Sequence, residues 1–219
     1  MLIRSDGSAV AFGYNGHGQC ALPDQKEGLT YVQAAAGSGH TVLIRSNGSA
    51  VACGTNAFGR CALPDLEEGL SYAQAAAGGN HTVLIRSDGS AVACGQNASG
   101  QCTLPALDEG LTYVQAAAGR IHTVLIRSDG SAVACGENGD GQCTLPALVE
   151  GLTYKRAAAD NRPGRGSAAL RPRFLIALLT CGCSPWPSFL RPRRKVLSRA
   201  PRGHARAAHA HAGRESPSS

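Results

Sequence analysis

An all-β fold of stacked, near-identical units, blades of the β-propeller type numbering about four, is what three observations predict. First, the chain repeats with a period of 41 residues: Gly13, Gly54, Gly95 and Gly136 each open a copy, and Cys20, Cys61, Cys102 and Cys143 recur at one offset. A fixed period of this length marks stacked supersecondary units. Second, each copy carries two short apolar runs around an Asn-Gly or Asp-Gly dipeptide, as at Asn47-Gly48, Asp88-Gly89 and Asp129-Gly130. That dipeptide between apolar runs is a strong short-range hairpin signal. Third, Thr82-Val83-Leu84-Ile85 does not alternate with polar residues. A strand covered on both faces reads this way.

The elements follow in order. Residues 1–12 match the hairpin half of a repeat. Three full copies occupy 13–53, 54–94 and 95–135, and residues 136–159 match the other half. Within a copy, Tyr-x-Gln-Ala-Ala-Ala-Gly (Tyr31–Gly37, Tyr72–Gly78, Tyr113–Gly119) comes first. Alanine favours helix, but so short a run ending in Gly cannot sustain one. Small residues also suit a place where neighbouring sheets crowd, so the segment is read as a strand. Gly-x-x-His then enters the next strand, the Asp-Gly turn reverses it, and Ala-Val-Ala-Cys returns. The Leu-Pro-x-x-x-x-Glu-Gly stretches are connecting loops, punctuated by Pro and Gly. In an antiparallel hairpin the entry and exit lie at one end. Gly-x-x-His and x-Asn-x-x-Gly are therefore expected on one rim, and the Asp-Gly turns on the other. The two half-copies are complementary and admit two arrangements: a composite blade closing a small ring, or an open arc with unpaired edge strands prone to self-association.

Charge divides the chain. Residues 1–159 carry a formal charge of −4 and residues 160–219 carry +10, which together give the net +6. Basicity thus belongs to the tail, which is rich in Arg, Pro, Ala and His and is expected to be disordered. Its Arg191, Arg193, Arg194 and Lys195 resemble a nuclear-localisation or nucleic-acid patch. The plainer readings are a solvated tail or translated non-coding sequence. Met1 leads directly into repeat sequence, and no apolar stretch is long enough to span a bilayer. The expectation is an intracellular chain, cytoplasmic or nuclear, without membrane contact. Seven of nine cysteines sit at two repeat positions, with Phe12 taking the place of one. They are read as small buried hydrophobes rather than a disulfide framework, although a Cys53–Cys61 bridge is geometrically possible.

Between copies 54–94 and 95–135, 31 of 41 positions are identical. Individuality is therefore confined to a few places, chiefly the rim loops. Tyr14 and His17, Phe58 and Arg60, Gln96, and Asp140 vary in one loop set; Ser38, Asn80, Arg120 and Ile121 vary in the other. Variable loops on a rigid scaffold commonly carry binding, and aromatic and Arg side chains are frequent anchors. These ten residues form the candidate surface for a protein partner. Gly37, Gly54, Gly78, Gly89, Gly95, Gly119 and Gly130, with His40, His81 and His122, are assigned structural roles. The histidines lie on different blades, too far apart to share a metal, and are expected to bond nearby backbone. The carboxylates Asp24/Glu27, Glu67/Glu68 and Asp108/Glu109 recur once per repeat, unlike a catalytic pair. No phosphate loop or nucleophile elbow is present. No enzyme activity, metal or cofactor is expected.

The strings AAGGNHTVLIRSDGSAVACGQNASGQC (76–102) and AAGRIHTVLIRSDGSAVACGENGDGQC (117–143) resemble the regulator of chromosome condensation repeat family of β-propellers. The likeness covers residues 1–159. The family often has an aromatic residue where this chain has Phe12, Cys53, Cys94 and Cys135, and its rings have more blades than these copies supply. The resemblance implies a non-catalytic interaction scaffold. It also offers, as alternatives, a fragment of a larger protein: a ubiquitin-ligase arm, or an exchange regulator of a small GTPase. Chromatin association through the tail is the remaining class.

Overall fold

Three antiparallel sheets of three strands repeat along residues 1–160, the part that the computed structural model describes. After a short hairpin, β1 (Leu2–Ile3) and β2 (Ala9–Val10), come β3 (Tyr31–Ala36), β4 (His40–Arg45) and β5 (Ala50–Gly54). The second blade is β6 (Tyr72–Ala77), β7 (His81–Arg86) and β8 (Ala91–Gly95), and the third is β9 (Tyr113–Ala118), β10 (His122–Arg127) and β11 (Ala132–Gly136). The middle strand of each blade pairs with both neighbours. The Tyr-x-Gln-Ala-Ala-Ala segments are strands, as their length and terminal Gly imply.

The core lies between blades. Val42 and Ile44 pack with Tyr72, Ala75, Ala77 and Leu84 of the next blade. Val83 and Ile85 pack with Tyr113, Ala116, Ala118 and Leu125 of the one after. Successive residues of β7 thus face opposite neighbours, which is why the Val-Leu-Ile run has no polar alternation. Leu43, Leu84 and Leu125 are fully buried. First strands of adjacent blades contact one another, and alanine there permits the close approach.

Polar joints repeat with the blades. The Tyr72 N–H donates to the Gly48 carbonyl at 2.8 Å and the Tyr113 N–H to that of Gly89 at 2.8 Å. The Tyr hydroxyls donate to Pro64 and Pro105 carbonyls of their own connecting loops. Gln33 bridges first strands with both ends of its amide: Nε2 donates to the Ala75 carbonyl at 2.9 Å and Oε1 accepts from the Ala75 N–H at 2.6 Å. Gln74 does the same toward Ala116. At Gly89, φ is +80°, and a Cβ would stand 2.3 Å from Thr112 of the next blade. Only glycine fits both demands.

The arc is open among the described residues. β1 has β2 as its one strand partner, and Thr153–Ala159 forms no strand. Composite closure within the chain, one of the two expected arrangements, is not what the structure adopts. The tail residues Arg191, Arg193, Arg194 and Lys195, with the rest of the expected tail beyond Asp160, lie outside the described residues. No helix among the described residues is long and apolar enough to cross a membrane.

Candidate functional site

The expected rim forms. Within each blade the two loop sets are tied together: Thr55 N–H donates to the Gly39 carbonyl, Gln96 N–H to that of Asn80 and Glu137 N–H to that of Ile121, each at 2.9 Å. Between blades the Gly-x-x-His loops are linked in a row. Ser38 N–H reaches the Gly78 carbonyl at 3.2 Å, and Gly79 N–H reaches that of Gly119 at 3.1 Å. The invariant Asn of each exit loop folds it back: Cys61 N–H donates to Asn56 Oδ1 and Cys102 N–H to Asn97 Oδ1, both at 2.8 Å. The shared residues therefore build most of the rim, and most of the variable ones decorate it.

Tyr14, His17, Ser38, Phe58, Arg120 and Asp140 are exposed; Asn80, Gln96 and Ile121 are half-buried. Tyr14 and His17 stack edge to face with ring centroids 5.7 Å apart. Asn80 Nδ2 donates to Gln96 Oε1 at 2.9 Å, joining the two loops of one blade. Phe12, exposed at the same end, was not marked by the repeat pattern as a surface residue; its signal is a lone bulky side chain in a cysteine column.

Arg60 departs from expectation. It is buried, donating from its guanidinium to the Gly79 carbonyl at 2.9 Å and the Ala57 carbonyl at 3.1 Å. It bridges two blades and is not free to anchor a partner. Its identity also reshapes the loop. In the other copies this position is Gln19, Gln101 or Gln142, whose Oε1 accepts the N–H of the residue two before: His17, Ser99 or Asp140. Arginine has no acceptor to offer. The Arg60 loop instead forms a 3-10 turn over Ala57–Gly59, with Phe58 at φ 63°. That conformation costs a non-glycine residue about 1 kcal/mol, and it leaves the ring 62% exposed.

The histidines are joints rather than ligands. His40 Nε2 lies 2.9 Å from Thr82 Oγ1 in the next blade, and His81 Nε2 lies 3.0 Å from Thr123 Oγ1. This corrects the expected bond to nearby backbone. Each threonine donates its single hydrogen to a carbonyl, Thr82 to Arg60 at 2.7 Å and Thr123 to Gln101 at 2.8 Å. Nε2 must therefore carry the imidazole proton and donate. Nδ1 of both rings is buried without a partner, so a second proton there would be an unsolvated charge. Burial pushes both rings down to about 4. His122 is lowered in the same sense by burial, against an opposing pull from Asp160.

All seven described cysteines are free. Burial raises the thiols of Cys53, Cys61 and Cys143, those of Cys94 and Cys135 to about 11, and that of Cys102 to about 12. A two-unit rise lowers the thiolate fraction roughly a hundredfold. Alkylation of Cys94 and Cys135 with iodoacetamide at pH 8, read peptide by peptide in a mass spectrometer, should lag the denatured chain by about that factor.

A family model described as "Regulator of chromosome condensation (RCC1) repeat" matches residues 31–60, 72–101 and 113–142, one window per blade. No curated protein matches the chain. Among solved structures, the chain is similar to Prp20p from Saccharomyces cerevisiae, characterised with its binding properties to Gsp1p and histones. That match has 20% identity and a TM-score of 0.54, and covers 63% of this chain and 43% of that one. Human WBSCR16 matches with 20% identity and a TM-score of 0.54, over 64% and 45% of the two chains. The ectodomain of the Physcomitrella patens receptor kinase CR4 matches with 17% identity and a TM-score of 0.51, over 67% and 40%. The chain thus spans less than half the length of each. Likeness at this identity is one of fold.

Proposed function

We propose that this chain, which belongs to the regulator of chromosome condensation repeat family, is a non-enzymatic scaffold that binds a protein partner through its variable rim. The observation that carries the reading is Phe58: an aromatic side chain held outward at φ 63°, at a cost in backbone strain, by a loop whose other copies carry His17, Ser99 and Asp140. Strain retained at an exposed position motivates a functional reading. Tyr14, His17, Ser38, Asn80, Gln96, Arg120, Ile121 and Asp140 supply the rest of the surface; Arg60 supports it from beneath.

Truncating Phe58 and Tyr14 to alanine removes no buried contact, so stability should stay within about 0.5 kcal/mol. An anchor residue at an interface contributes about 2 kcal/mol or more, so loss of one weakens binding about thirtyfold and the double variant should bind a partner up to about a thousandfold more weakly. The experiment captures partners on wild type, on the double variant and on a variant of the opposite rim, Asp88→Ala, and then measures affinity with the purified partner. Equal retention by all three overturns the reading. Prp20p has binding properties to Gsp1p and histones. A small GTPase and a histone are therefore the first purified proteins to test; nucleotide release on mixing would favour an exchange role over a passive scaffold. Nucleic-acid association through the tail would weaken steeply with salt.

A further inference from the structure

Each complete blade joins its first strand to its second in one register: Tyr31 opposite Arg45, Gln33 opposite Ile44, Ala34 opposite Leu43. Among the described residues the N-terminal hairpin has the second and third strands of a blade and no first strand beside them. Leu2 lies opposite Val10 and Ile3 opposite Ala9, as Leu43 lies opposite Val51 and Ile44 opposite Ala50. It packs against β3, and the Tyr31 N–H donates to its Gly7 carbonyl at 2.9 Å. It is thus seated as a blade, yet Leu2 is 61% exposed where Leu43 is fully buried.

The far side of the third blade shows the converse. Residues 153–159 hold a first-strand position with three joints of that strand in place. Tyr154 N–H donates to the Gly130 carbonyl at 2.8 Å. The Tyr154 hydroxyl donates to the Pro146 carbonyl at 2.5 Å, and Ala157 N–H donates to Gln115 Oε1 at 2.8 Å. No second strand lies beside it among the described residues.

Among the described residues each edge lacks what the other carries, and the two do not pair with each other. We propose that they meet between chains: residues 154–159 of one copy add as the first strand to β1 of a second copy, completing a composite blade. The repeat sets the register, with Leu2 opposite Ala157, Ile3 opposite Arg156 and Arg4 opposite Tyr154. Leu2 is then covered as Leu43 is. Arg156, standing where Gln33 and Gln74 stand, reaches toward the Ala34 carbonyl with a donor, as those glutamines reach Ala75 and Ala116. Backbone pairing of this kind gives affinity without a large side-chain interface. Two copies satisfy both edges of each and close a ring of eight blades, at the upper end of the usual range; the occupant is therefore a second copy.

The full chain is weighed in solution by light scattering across concentrations; a species of twice 22.4 kDa is expected. Leu2→Cys and Ala157→Cys chains are then prepared separately, mixed and oxidised. The expected product is a covalent dimer whose linking peptide joins residue 2 of one to residue 157 of the other. An Arg4→Cys chain mixed with Ala157→Cys, out of register, should link far less. A monomer at every concentration overturns the proposal. So does a chain carrying both substitutions that links only within itself. A ladder of larger species joined through the same pair would keep the strand pairing and overturn the two-copy ring.

Discussion

A Gly78→Ala chain is expected to lose about 3 kcal/mol of stability, the upper end of what overpacking commonly costs. The added Cβ would stand 2.4 Å from His81 Cε1 and 2.5 Å from the Gly119 carbonyl oxygen. Neither obstacle can retreat. His81 is fully buried and bonded to Thr123, and the Gly119 carbonyl already accepts the Gly79 N–H at 3.1 Å. The blades would have to part along the whole joint. For a domain of this size the loss corresponds to a fall in melting temperature of about 6–12 °C. Gly100→Ala is the control: φ is +80° there, but a Cβ would meet nothing within 4 Å. That change costs left-handed strain alone, about 1–2 kcal/mol. Thermal melts followed by circular dichroism separate the two. Equal losses would mean that blade contact at Gly78 is looser than the structure has it.

Repetition made the blades legible and hid their joints. Strand pairing is local: His81 to Gly95 contains both strands of a hairpin and its turn, so register and rim follow from the string itself. The joints act at 42 residues' separation, as from His81 to Thr123 and from Gln74 to Ala116. A periodic sequence shows that His-Thr and Gln recur; it does not show that each reaches into the following copy. The glutamines left one trace, a polar residue recurring inside an apolar strand. Arg60 misled for a related reason. It is variable and cationic, as an anchor would be, but variation at the Gln19, Gln101 and Gln142 position alters the inside of the loop. The surface consequence falls two residues earlier, on Phe58. Closure was open in the sequence because complementary half-blades fit one chain or two equally well.

Acid should weaken the folded protein between about pH 6.5 and pH 4. His40 and His81 sit at about 4 in the fold against an ordinary value of 6.5. Below pH 6.5 the unfolded chain takes up protons that the folded one refuses, so stability rises with pH across this window and is level above it. Two and a half units correspond to about 3 kcal/mol per histidine by pH 4. Two such histidines amount to a large part of an ordinary folding free energy. Asp6, Asp88 and Asp129, held below the usual carboxylate value of 3.8 by bonds from Ser8, Ser90 and Ser131, act beneath this window. The physical cause is burial, which leaves Nδ1 of each ring without a partner for a second proton. Thr82 and Thr123 spend their hydrogen on a carbonyl, the imidazole must donate from Nε2, and Nδ1 faces no acceptor for a second proton. A His81→Gln chain keeps an N–H for Thr123 Oγ1 and removes the titration. At pH 7 it should be destabilised by about 1 kcal/mol, the value of a hydrogen bond remade in poorer geometry. Its denaturation midpoint in urea should then fall less between pH 6.5 and pH 4.5 than that of wild type. Parallel pH profiles for the two chains would show that His81 is not the group that acid attacks.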